Sequence, residues 1–151
     1  MHTQHVEGWP FIERHQLAAT KNAPYWARRL VADVLERWRM PDLTESALLL
    51  TSEVVTNAVV AVGGLELKEA AHARSVRLKL STDYTHLLVE VWDPINQPPV
   101  LGSMVPLDSE QGRGLFLVDT FAKDWNYYHP AAGGKVVWFL LERPARPARA
   151  G

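Results

Sequence analysis

The chain has 151 residues, no cysteine and a net charge near −1 at neutral pH, which excludes a disulfide scaffold and a thiolate nucleophile and gives no electrostatic case for nucleic acid or an anionic membrane. A composition of 47% hydrophobic and 22% charged residues is that of a globular protein, most simply one domain with a substantial core. The six histidines, at positions 2, 5, 15, 72, 86 and 129, have no metal-ligand spacing, so no structural metal is expected.

Residues 1–9 read as an N-terminal lead without the basic-then-apolar order of a signal peptide. No continuous apolar run approaches the roughly 18–20 residues of a membrane span, so a cytoplasmic location is expected. A short strand follows around Phe11, Glu13, His15 and Leu17. "NAPYWARRLVADVLERWRM" predicts an amphipathic helix capped by Asn22, with Pro24 in its first turn and Trp26, Leu30, Val34 and Trp38 on one stripe beside Leu35. Pro41 ends it. A second helix opens at Asp42 or Thr44 and stops at Gly63-Gly64.

Two strands, "SVRLKLSTD" and "HLLVEVWD", come next around a hairpin-like turn. Val76, Leu78 and Leu80 alternate with Arg77 and Lys79, which gives the first of them one buried face. The segment "PINQPPVLGSMVPLDSEQ" is long for a loop within a compact domain and reads as functional. "GRGLFLVDTFAKDW" predicts a helix opened by glycines, and "WNYYH" and "KVVWFLLE" a final antiparallel pair around a turn at Pro130–Gly134. The expected fold class is α+β: a two-layer sandwich with helices on one face of a mixed, largely antiparallel sheet. The expected organisation is a lead over 1–9, one domain over 10–142 and a disordered Pro/Arg tail over 143–151.

Three features carry chemistry. From Ala47 to Leu65 in the second helix, Glu53 is the only ionisable residue, and apolar residues cover almost the whole helical wheel. A carboxylate in such a helix needs a partner or a cavity. Asn57 stands one turn away on the same face, and the two oxygens suit a cavity holding a cation, a water or a hydroxyl. Pairing of Glu53 with an arginine, or surfacing at the helix edge, is the competing reading. Asp93 ends a buried strand just before Pro94, a place from which a carboxylate can accept from a ligand amino group; an ordinary turn aspartate would look the same. Finally, Gly112 and Gly114 open a helix whose free N–H groups could meet a phosphate, although neither a dinucleotide fingerprint nor a P-loop is present, and the glycines could be a plain loop.

In this order the motifs Glu53-Val54-Val55-Thr56-Asn57-Ala58, the strand-end Asp93 and "GRGLFLVD", together with "WDP…PP" and "GGKVVWF", resemble the ATP-binding domain shared by histidine kinases, Hsp90, type II topoisomerases and MutL. Within that superfamily the chain is most similar to the anti-sigma-factor serine/threonine kinases and their actinobacterial relatives, over roughly residues 10 to 142. The resemblance implies a Bergerat-type fold and ATP with Mg²⁺ as cofactors. It gives Asn57 to the metal, Glu53 the role of general base and Asp93 the adenine amino group. Gly112, Gly114 and the helix from Leu115 would hold the phosphates, Arg113 would contact them, and residues 94–111 would form a lid. It further implies a sigma factor and an anti-sigma antagonist as partners, and a homodimer formed through the sheets.

The sequence departs from the family pattern at the strand end. Asp93-Pro94-Ile95-Asn96-Gln97 lacks both glycines of the usual D-x-G-x-G box, and Pro94 stiffens the turn, so the lid is expected to hinge elsewhere, at Gly102. Val59, Val60 and Ala61 occupy a stretch where many relatives carry a histidine. Lys135 follows Gly133-Gly134 where a threonine is usual; contact with a phosphate is one reading, and a solvated turn lysine is the preferred one. ATP binding is therefore a firmer expectation than turnover. The competing reading is a non-catalytic interaction module of the same fold, with nucleotide structural or absent.

Overall fold

The computed structural model describes residues 9–63, 74–99 and 117–145. Among them, one sheet contains β1 (Phe11–Ala18), β2 (Ser75–Thr82), β3 (His86–Asp93), β4 (Asp124–Tyr128) and β5 (Lys135–Glu142), in the order β1-β2-β3-β5-β4. All four pairings are antiparallel, so the sheet is antiparallel throughout and not mixed. Helices α1 (Ala23–Arg37) and α2 (Thr44–Gly63) pack on each other and on one face of the sheet. The expected α+β two-layer arrangement is what the chain adopts.

The alternation of β2 places Val76, Leu78 and Leu80 beneath the helices. In the central strand β3 residues 87–91 are all buried, which explains its nearly continuous apolar run. On the helix side Leu87, Val89 and Val91 join Val137, Phe139 and Leu141 of β5 in the main core. The outer face has its own small cluster, in which Leu88 and Trp138 pack with Trp9, Tyr128 and Leu140.

Of the expected α1 stripe, Val34, Leu35 and Trp38 are buried and Leu30 packs against the core, and Trp26 alone stays out. Ala23, Ala27, Val31, Val34 and Leu35 face inward, while Trp26 is 53% exposed and meets Tyr25 edge-on. Small alanines let the helix sit close to its neighbours, and an indole at position 26 finds no room beneath it. Asn22 makes no side-chain cap. Its own N–H instead donates to Thr20 Oγ1 at 3.3 Å, and the Ala23 N–H donates to the Thr20 carbonyl at 2.9 Å.

A 3-10 turn at Pro41–Leu43 leads into α2, so Pro41 starts the next element rather than merely ending α1. Residues 41–63 reach the length and mean hydropathy, 1.5, of a membrane-crossing helix, a property that a search for uninterrupted apolar runs misses. The apolar surface is used to cover the sheet and α1 through Ala47, Leu50, Val54, Val55 and Ala58. The opposite side, with Leu49 and Val60, is exposed, so the helix is not buried all round. Residues 117–121 are helical and Asp124 already begins β4, so this helix ends earlier than "GRGLFLVDTFAKDW" suggested. Val118 seals it to the core.

Candidate functional site

The helix-facing positions of β3 run Leu87, Val89, Val91 and then Asp93, so a carboxylate closes an apolar series. Its cross-strand neighbour in β5 is Lys135, the first residue of a series continued by Val137, Phe139 and Leu141. The two side chains form a buried ion pair, with Asp93 1% and Lys135 2% exposed. The expectation that Lys135 is a solvated turn lysine is thereby overturned. Strand parity points it inward, and only an acidic partner makes a buried ammonium tolerable there.

The hydrogen bonds of the pair are divided unevenly. Asp93 Oδ1 accepts from the Ile95 N–H at 2.8 Å and from Lys135 Nζ at 3.0 Å. Lys135 also donates to the Ile95 carbonyl at 3.3 Å. Asp93 Oδ2 lies 3.0 Å from the same ammonium but has no partner of hydrogen-bond geometry. Burial pushes the Asp93 carboxyl above the usual carboxylate range, against the opposing pull of the Ile95 N–H and of Lys135.

The backbone around the pair is held by further bonds. Trp92 Nε1 donates to the Gly133 carbonyl at 2.9 Å, and the Gly134 N–H donates to Asn96 Oδ1 at 2.9 Å. Gly134 has φ +77, and a Cβ there would stand 2.3 Å from the Asp93 carbonyl oxygen. Close approach of the β4–β5 turn to the end of β3 therefore requires glycine. Where the family pattern has a glycine-rich segment after the aspartate, this chain has a strand end strapped to the adjoining turn.

Helix α2 supplies the second polar group. Asn57 is 6% exposed, and among the described residues neither its Nδ2 nor the buried Thr51 Oγ1 has a hydrogen-bond partner. Glu53, one turn earlier, is only half-buried. The helix-facing side of β3 that ends in Asp93 is the side against which α2 packs. Asn57 on α2 and Asp93 on β3 each carry a buried polar atom without a hydrogen-bond partner among the described residues.

The donor set suits a nucleotide-borne Mg²⁺ and not a caged metal. Among the described residues no group of three His, Cys, Asp or Glu side chains could hold an ion. A single amide oxygen from Asn57, completed by phosphate oxygens and water, is the sparse oxygen coordination Mg²⁺ accepts. Gly112, Arg113, Gly114 and Leu115 lie outside the described residues, as does the suggested hinge Gly102. The residues that reasoning from sequence missed are Lys135 and Asn96. Lys135 carried a readable signal, its parity with Val137 and Phe139; Asn96 carried none.

No curated protein matches the chain. The profile of the histidine kinase-like ATPase domain matches residues 17–141, from the end of β1 to the penultimate residue of β5. That span takes in Glu53, Asn57, Asp93 and Lys135 and the β2–β3, β3–β5 and β4–β5 pairings up to residue 141, but only the end of β1. The chain belongs to the histidine kinase-like ATPase domain family.

Proposed function

We propose that this protein is an ATP-binding cytoplasmic regulator, an anti-sigma factor with serine/threonine kinase activity toward an anti-sigma antagonist. The observation that supports it best is the buried Asp93 Oδ2 at the end of β3, left without a hydrogen bond among the described residues, in a histidine kinase-like ATPase domain. Unpaired polar atoms in an interior are costly, and a bound ligand is what would satisfy them.

In this reading Asp93 accepts from the amino group of adenine, and the Asn57 amide oxygen faces the magnesium ion. Gly112, Gly114 and Leu115 contribute backbone N–H groups to the phosphates, assisted by Arg113. ATP supplies the phosphoryl group and, with its metal, most of the charge neutralisation. Glu53, shallower than Asn57, orients the partner's hydroxyl and accepts its proton. A sigma factor and an antagonist are the protein partners, and a homodimer forms through the sheet.

The test is calorimetry with Mg-ATP, paired with a phosphotransfer assay. Asn57→Ala is expected to lose at least about tenfold in affinity, the size of one charge-assisted contact. Glu53→Gln is expected to bind ATP as the wild type does while phosphotransfer to the cognate antagonist falls by about 10²-fold or more. Equal Mg-ATP affinity in wild type and Asn57→Ala would remove the site assignment. A second reading, a non-catalytic interaction module, is favoured by one observation: Asp93 already has a buried cationic partner in Lys135. Absence of ATP binding by the wild type would decide for it.

A further inference from the structure

The base end of this site contains an ion pair where a nucleotide site needs an open acceptor. Asp93 and Lys135 are direct cross-strand neighbours, each nearly inaccessible, with Nζ 3.0 Å from both carboxylate oxygens. Oδ1 is saturated, since it accepts from the Ile95 N–H as well as from the ammonium. Oδ2 is left without a hydrogen bond but lies in direct electrostatic contact with the cation. An amino group of a base is a neutral donor, and charge-assisted bonds are roughly twice as strong as neutral ones. Such a donor cannot displace the ammonium and must share a carboxylate whose charge is already compensated.

We propose that Lys135 sets the nucleotide affinity of this domain by acting as an internal ligand of Asp93, occupying the carboxylate that would otherwise bind the base amino group. The inference rests on the ATP-site reading given above. Three further contacts make the self-liganded state a built one. Lys135 also grips the Ile95 carbonyl, Asn96 accepts from the Gly134 N–H, and the Trp92 indole donates to the Gly133 carbonyl. Lysine, loop and turn therefore hold one another in place, and the free protein has no unpaired charge at this spot for a ligand to relieve. Without the ammonium the buried carboxylate would need a donor, and the base would become that donor. Binding would then be linked to folding at this residue.

The experiment is calorimetric titration of wild type, Lys135→Thr and Lys135→Gln with Mg-ATP, accompanied by thermal unfolding with and without Mg-ATP. Lys135→Thr is expected to bind at least about tenfold more tightly than wild type and to show a larger rise in Tm on adding nucleotide, although its nucleotide-free Tm is lower. Lys135→Gln keeps the reach and a donor while removing the charge, so it also bypasses a folding failure of the threonine variant, and is expected to fall on the same side. If the variants lose stability but bind Mg-ATP no more tightly than a wild type that binds, Lys135 is a structural strut and the inference is overturned while the ATP reading stands. If no form binds Mg-ATP, the ATP reading falls and this inference falls with it.

Discussion

Gly134 is the residue on which the close approach at the site depends. Its φ of +77 is unfavourable for any side-chain-bearing residue, and a methyl group would meet the Asp93 carbonyl oxygen at 2.3 Å and the Trp92 indole at 2.7 Å. Gly133 has φ +102, but a methyl group there would have nothing within 4 Å of it. The pair therefore separates backbone strain from collision. Gly133→Ala is expected to cost about 1 kcal/mol, the strain alone. Gly134→Ala adds the displacement of a backbone carbonyl, for a total above about 2 kcal/mol and a Tm lower by several degrees. Urea unfolding of both variants checks this; equal losses would show that the turn yields without disturbing β3.

At the scale of the element, the outer face of β3 holds a second buried carboxylate. Glu90 is 4% exposed and stands in register between Lys79 of β2 and Trp138 of β5. Lys79 Nζ is 3.6 Å from Oε2, an ion-pair distance too long for a hydrogen bond, and the Tyr128 hydroxyl donates to Oε1 at 3.3 Å. Burial outweighs both and raises the Glu90 carboxyl above its ordinary value. A raised carboxyl binds its proton more tightly in the folded state than in the unfolded chain. Its contribution to stability therefore declines as pH rises from the unfolded value, about 4.3, to the raised folded value. Glu90→Gln keeps an acceptor for Tyr128 and removes the titration. The stability of the variant relative to wild type is expected to increase between about pH 4.5 and 7, as read from urea midpoints; a difference independent of pH would refute it.

Over the whole molecule, element order and class were legible because the apolar periods are strong. Val76, Leu78 and Leu80 alternate, and α2 is apolar over most of its length. The spacing of Glu53 and Asn57 and the strand-ending position of Asp93 were equally local, so each could be singled out in the sequence. What escaped depended on relations between distant segments. Parity with Val137 and Phe139 gives the inward direction of Lys135, but its partner Asp93 depends on the register of the β3–β5 ladder, which a single strand cannot supply. The α1 stripe was read correctly at Leu30, Val34, Leu35 and Trp38 but not at Trp26, and the buried Ala23 and Ala27 were passed over because hydrophobicity favours larger side chains. The absence of a membrane-length apolar helix was inferred from unbroken runs, and a few polar residues in 41–63 concealed its overall hydropathy.

Asp93 ends β3 and Lys135 begins β5, and the two are cross-strand neighbours, so the chain between them departs from and returns to a single point. The chain from 94 to 134 is in that sense a detour, although β4 within it pairs along its length with β5 and Val118 sits in the main core. Lengthening or exchanging part of such a detour carries a small closure penalty, since doubling a loop costs only about 0.6 kcal/mol. The paired ends of β3 and β5 and the chain that runs between them are thus separable units of inheritance. Descendants of this fold could acquire new partners by rewriting the detour while leaving the charged knot at its base untouched.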